Sequence, residues 1–182
     1  KLGGLRAWTA TNDNLGSGGA SGGYNQTTGV VDAATNGTQR AFTKALMDST
    51  IAAITAAGGN PDIIMGSLYA KTVFSGFMAD PAVAQQRYAA SKSGQTKIIG
   101  AADVYESDFG EFSFVANKQM TRAGAGVARN VFFLETAKLA LGVLRDYDNI
   151  NVAKTGDNEK RVIQTEYTLI NDNEAAHGCV AD

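Results

Sequence analysis

Val104-Tyr105-Glu106-Ser107-Asp108-Phe109-Gly110-Glu111-Phe112-Ser113-Phe114-Val115-Ala116-Asn117 is where the side-chain period of this sequence changes. Phe112, Phe114 and Ala116 alternate with Glu111, Ser113 and Asn117, the period of two that a half-buried strand requires. Ile98 to Tyr105 supplies a second run, and Ser107-Asp108-Phe109-Gly110 supplies a turn, so the segment predicts a β-hairpin. Helical spacing dominates before it and strands dominate after it. That order predicts an α+β fold with helices against a mainly antiparallel sheet.

Working back from the hairpin, Ala82 to Ala90 reads as a helical stretch ending in the polar loop Ser91 to Thr96. Before it, Leu68, Val73, Phe74 and Phe77 mark a helix capped by Ser67 and broken at Asp80-Pro81. Asp62-Ile63-Ile64-Met65-Gly66 is short, apolar and bounded by turn residues, as a buried strand is. A first helix is predicted after Asn36-Gly37-Thr38, with Thr38 as N-cap and Phe42, Leu46, Ala53, Ile54 and Ala57 on one face. Gly58-Gly59-Asn60-Pro61 stops it. From Asn12 to Gly37, seven of 26 residues are glycine and most others are small or polar, so a long surface loop is expected. Leu5 to Thr11 reads as a short strand or helix remnant.

Working forward, Thr121 to Gly126 reads as a glycine-bearing loop. Val131 to Leu134 and Leu139 to Leu144 read as strands. After the polar run Lys154 to Lys160 comes a strand, Arg161 to Leu169, with Ile163, Thr165, Tyr167 and Leu169 on one face.

Composition removes several classes of function. Sixteen basic against 18 acidic side chains give a net charge of −2, so no global basic surface exists for gripping nucleic acid. One Cys and one His support neither a disulfide framework nor a structural zinc site. No apolar run approaches the roughly 18 residues that span a bilayer.

Few residues carry chemistry. Gly16-Ser17-Gly18-Gly19-Ala20-Ser21-Gly22-Gly23 lacks the Lys-Ser/Thr pair of a phosphate loop, and lacks the flanking strand and helix of a dinucleotide fingerprint. His177-Gly178-Cys179 is the one place for nucleophile chemistry, either as a thiolate couple or, with a serine, as a hydrolase base. No Gly-x-Ser-x-Gly elbow accompanies it. Asp103, Glu106, Asp108 and Glu111 surround the hairpin without calcium-loop spacing, as a polar turn does. Lys154-Thr155-Gly156-Asp157-Asn158-Glu159-Lys160-Arg161 mixes both signs, as either a solvated turn or an interface loop does.

Six stretches occur in a fixed order: Gly3-Gly4-Leu5-Arg6-Ala7-Trp8, Asn36-Gly37-Thr38-Gln39-Arg40-Ala41-Phe42, Gly58-Gly59-Asn60-Pro61, Val104 to Gly110, Ala153 to Arg161, and Asn173-Glu174-Ala175-Ala176-His177-Gly178. The series resembles a tailed-bacteriophage major capsid protein family with the Hong Kong 97-type fold, across essentially the whole chain. The resemblance implies a self-assembling structural subunit of an icosahedral shell around double-stranded DNA, located in the virion and assembled in the host cytoplasm. It implies no enzyme activity and no cofactor. Partners would be further copies in pentamers and hexamers, with scaffold, portal or decoration proteins, and neither membrane nor sequence-specific DNA.

By the same resemblance, residues 1–37 connect a peripheral to an axial domain, residues 38–128 form the axial domain, and residues 129–182 are returning strands. The N-terminal arm, extended loop and spine helix of such proteins are missing, so the chain looks like the C-terminal portion of a subunit. Its start at Lys1 agrees with that reading. The loop around Tyr88, Lys92 and Lys97 would approach the five- or six-fold axis. Lys154, Asp157, Glu159, Lys160 and Arg161 would lie near a three-fold junction, which favours the interface reading of that run. No Lys–Asn cross-link motif is matched. The rival readings are a small cysteine or serine hydrolase using His177 and an α+β module whose Gly-rich loop closes over a ligand.

Overall fold

In the computed structural model, which describes residues 3–77, 103–154 and 156–182, the chain is mixed α+β. The expected helix at Ala82 to Ala90, the loop after it and the start of the hairpin's first strand lie outside the described residues. Among those described, ten strands and four α-helices follow one another along the chain. Six strands form the central sheet: β1 (Asp13–Leu15), β10 (Gly178–Ala181), β7 (Val131–Leu134), β4 (Ile63–Gly66), β6 (Gly110–Ala116) and β5 (Val104–Ser107), in that spatial order. Three of its five pairings are antiparallel, while β1 with β10 and β4 with β6 are parallel.

The central strands are apolar without alternation because both sheet faces are covered. On one face Ile64, Phe112, Phe114, Val131, Phe133 and Val180 meet α1 (Lys44–Ala56) through Met47, Ile51 and Ile54. They also meet α2 (Leu68–Gly76) through Ala70 and Phe74. On the other face Phe132, Leu134, Cys179 and Ala181 meet Met120 of α3 (Lys118–Arg122), with Leu5, Leu15 and Leu139 alongside. Burying each large side chain here stabilises the fold by roughly 1.5–3 kcal/mol. The hairpin is tied to the helical layer by Tyr105, whose hydroxyl donates to Asp48 Oδ1 at 2.7 Å.

Helix ends follow local chemistry. Ser67 caps α2, its side chain accepting from the Ala70 amide, as the sequence predicts. For α1 the cap is Thr43 rather than Thr38, and the buried face is Met47, Thr50, Ile51 and Ile54, with Ala53 and Ala57 exposed. Thr38 instead donates its hydroxyl to Ser17 O, and Arg40 donates to Asn14 Oδ1, tying the stretch before α1 to β1. Gly58, at φ +87°, closes α1 in a Schellman turn: its amide donates to Thr55 O and that of Gly59 to Ile54 O.

Two stretches read as loops are structured. Within Asn12 to Gly37, β1 joins the sheet edge, and β2 (Gly23–Asn25) pairs with β3 (Val30–Asp32) around a turn with Gly29 at φ +68°. Glycine here permits close backbone approach: a Cβ on Gly37 would collide with the main chain of Gly16. Thr121 to Gly126 takes in the end of α3, a break at Ala123-Gly124 with Gly124 at φ +105°, and the start of α4 (Ala125–Ala128), and Asn117 Oδ1 accepts the Gln119 amide at the head of α3.

Candidate functional site

The sheet feeds a separate two-stranded ribbon, β8 (Leu139–Val152) with β9 (Lys160–Asn171), which pairs with no other strand among the described residues. The strands expected at Leu139 to Leu144 and Arg161 to Leu169 are the root and partner of this one long hairpin. Its apolar residues are solvent-facing: Leu144 is 81% exposed, Tyr147 77% and Ile163 73%, with Leu141, Val143, Val162 and Tyr167 above half or close to it. An isolated two-stranded ribbon is marginal in water, and a continuous exposed apolar surface marks a contact site.

The root is anchored by the motif Asn173 to Gly178. His177 is fully buried. Its Nδ1 accepts from the Glu135 amide at 3.2 Å and its Nε2–H donates to Asn171 Oδ1 at 3.0 Å. It thereby bridges the chain entering β8 and the chain leaving β9. Asn171 is oriented by its Nδ2, which donates to Trp8 O, and that bond assigns the imidazole proton to Nε2. Glu174 Oε1 accepts from the amides of Ala10 and Thr11 and from the Thr11 hydroxyl. Asn12 donates to the carbonyls of Ala175 and His177. Asp62 accepts from the Thr136 amide and hydroxyl, and Glu135 accepts from the Asn60 amide. A Cβ on Gly59 or Gly178 would strike Ile54. Three of the six ordered stretches, those at Gly3 to Trp8, Gly58 to Pro61 and Asn173 to Gly178, therefore meet at this root.

This geometry gives His177 a structural task. Burial keeps its pKa below the ordinary value, partly offset by Glu135, Asp62 and Glu174, and both ring nitrogens are engaged. Burial pushes the Cys179 thiol up to about 12, among Met120, Phe132 and Leu134. A protonated thiol and a neutral, doubly bonded imidazole do not make a thiolate couple. A concavity of about 290 Å³ is lined by Arg40, Phe42, Tyr69, Arg129 and Asp182, and by no residue of the Gly-rich stretch. Among the described residues no cluster of three or more His, Cys, Asp or Glu is placed to hold a metal.

At the far end, the structure brings Lys154, Glu159, Lys160 and Arg161 together at the ribbon tip, with Asp157 in its turn. Lys154 and Glu159 pair at 3.7 Å, both about 70% exposed, so the pair contributes little stability alone. Tyr88, Lys92 and Lys97 lie outside the described residues. Sequence reading missed the exposed apolar residues of the ribbon. The available signal was two long apolar runs flanking one short charged run.

A buried His177 with both ring nitrogens engaged and a long exposed apolar ribbon fit a structural subunit. The family model described as SU10 major capsid protein matches residues 1–182, and the chain belongs to that family. It is a structural subunit of a phage capsid, and its place is the virion. No curated protein matches the chain. No helix among the described residues is long and apolar enough to cross a membrane.

Proposed function

We propose that this chain is a wall subunit of the Hong Kong 97-type, assembling as pentamers and hexamers into an icosahedral shell around double-stranded DNA in the host cytoplasm. Residues 38–128 would be the axial domain, with Tyr88, Lys92 and Lys97 toward the capsomer axis. Residues 1–37 and 129–182 would connect it to, and return into, the peripheral domain. Lys154, Asp157, Glu159, Lys160 and Arg161 would meet neighbouring subunits. The observation that carries the reading is the β8–β9 ribbon, whose apolar residues find no cover among the described residues.

Mixed charge at the tip suits such a contact, because opposite signs fix orientation between copies more than they add affinity. Sucrose-gradient sedimentation of the complete gene product tests this reading. A sharp fast-sedimenting band is expected, with Lys160→Glu/Arg161→Glu shifting material to slow fractions. Equal particle yield from the double variant would remove the tip from the interface.

A further inference from the structure

The sequence carries no Asp or Glu between Glu111 and Glu135, and Lys118, Arg122 and Arg129 fall in that interval. The fold gathers them at one end of the central sheet. β6 runs parallel to β4 and delivers Lys118 and Arg122 on α3, just past its last residue. β7 runs antiparallel to β4 and starts at Val131, so Arg129 lies at the same end. Arg40 joins them, because it lines the same concavity as Arg129. The opposite end is acidic: Glu106 faces Glu111 beside the hairpin turn that holds Asp108, while Asp62 leads into β4 and Glu135 leaves β7. A net charge of −2 thus conceals a sheet with one basic and one acidic end.

The four cations are not equivalent. Arg40 is occupied by Asp182 and Asn14. Lys118, Arg122 and Arg129 are exposed, and among the described residues none of them makes a salt bridge or a side-chain hydrogen bond. Residues 78–102 contribute Asp80 against Arg87, Lys92 and Lys97, so they do not reverse the balance. Between Arg122 and Arg129 the residues Ala123, Gly124, Ala125 and Gly126 are exposed, and a Cβ on Gly124 would meet nothing within 4 Å. The cations therefore stand on a surface of low relief, open to a broad anionic partner.

Resting on the shell reading above, which sets duplex DNA against the subunit, we infer that Lys118, Arg122 and Arg129 form a contact site for the phosphate backbone of double-stranded DNA. The sheet then stands with this end toward the duplex and its acidic end away. A duplex presents one charge per roughly 1.7 Å of axis, so three exposed cations meet phosphates in any register and need no pocket. Such contacts position a protein without reading sequence. The carboxylates at the far end repel the same polyanion, which orients the subunit on approach. One site binds weakly, with a Kd of about 10⁻⁴–10⁻⁶ M, and repetition over many copies supplies the avidity.

The test is fluorescence anisotropy of a short labelled duplex titrated with unassembled subunits of the complete gene product. Release of three counterions should weaken binding about 40-fold between about 50 and 200 mM salt, and about 12-fold for Arg129→Ala. Arg122→Glu/Arg129→Glu should lower affinity at least about tenfold at the lower salt, while Arg122→Lys/Arg129→Lys retains it, because charge rather than fork geometry is used. Lys138→Glu, a charge reversal beside Glu135 at the other end, should bind as the unsubstituted chain does. Affinity unchanged by the double reversal would overturn the inference, and so would a subunit Tm lowered by it, which would give these cations a structural partner. Equal competition by poly-glutamate would overturn it in favour of an acidic protein segment. Uniform particles built from subunits that bind no duplex would remove this site and leave the shell reading. Subunits that bind the duplex and never close into particles would keep the site and remove the shell.

Discussion

The Nε2–H of His177 donates to Asn171 Oδ1 at 3.0 Å while its Nδ1 accepts from the Glu135 amide. One neutral imidazole thus joins both legs of the β8–β9 ribbon to the sheet. Protonation would put a second N–H against the Glu135 amide, so the folded state resists it and burial lowers the pKa. The sign follows. Above pH 6.5 both folded and unfolded states carry the neutral ring and this contribution is complete. As pH falls below 6.5 the unfolded state takes up a proton first, and stability is lost down to the folded pKa, at up to about 1.4 kcal/mol per pH unit. Denaturant melts between pH 8 and 5 should show this decline, and His177→Gln should reduce its slope.

Removing the ring altogether leaves the Glu135 amide and Asn171 Oδ1 without partners in a buried site. His177→Ala should therefore cost about 2–4 kcal/mol. Hydrogen exchange should locate the loosening at Glu135 to Lys138 and Asn171 to His177, with the Phe112–Phe133 core still protected.

Arg40 donates to Asp182 Oδ1 at 2.9 Å and to both the carbonyl and the side chain of Asn14. The Asp182 side chain is only 4% exposed, so Arg40→Ala strands a buried carboxylate. A loss of about 2–3 kcal/mol is expected in urea melts, with Arg40→Lys intermediate because a point charge cannot span both partners.

Two glycines should respond in opposite directions. Gly37→Ala drives a methyl into the Gly16 backbone and should expose Gly16 to Gly37 to limited proteolysis. Gly76→Ala, in the last turn of α2 with open space around it, should gain up to about 1 kcal/mol.

Glu106 and Glu111 stand directly opposite on the exposed hairpin β5–β6. Like charges in that position repel, so Glu111→Gln should stabilise by about 0.2–1 kcal/mol in low-salt melts, an effect that fades with added salt.

The fold was legible wherever side chains carry the signal. Val131 to Leu134, Ile63 to Gly66, the Ser67 cap and the turn at Gly110 all announce themselves through apolar runs, capping chemistry or glycine. Asn12 to Gly37 does not, because β1 is held by main-chain bonds to β10, more than 160 residues away, and its glycines serve backbone approach rather than disorder. Thr38 and Thr43 look alike as caps, and the choice rests on Arg40 finding Asn14 and Asp182 across the fold. At the candidate site, the charged tip was legible as a mixed-sign run. The apolar strips were not, because an exposed strand of Val, Ile, Leu and Tyr has the same local pattern as a buried one. Only the pairing of β8 with β9 alone separates them.

The central claim, that this chain is a shell subunit contacting its neighbours through the β8–β9 ribbon, is tested most directly by negative-stain electron microscopy of the complete gene product. Closed particles of uniform diameter are predicted. Soluble monomers alone, across a range of salt, pH and crowding conditions, would contradict it.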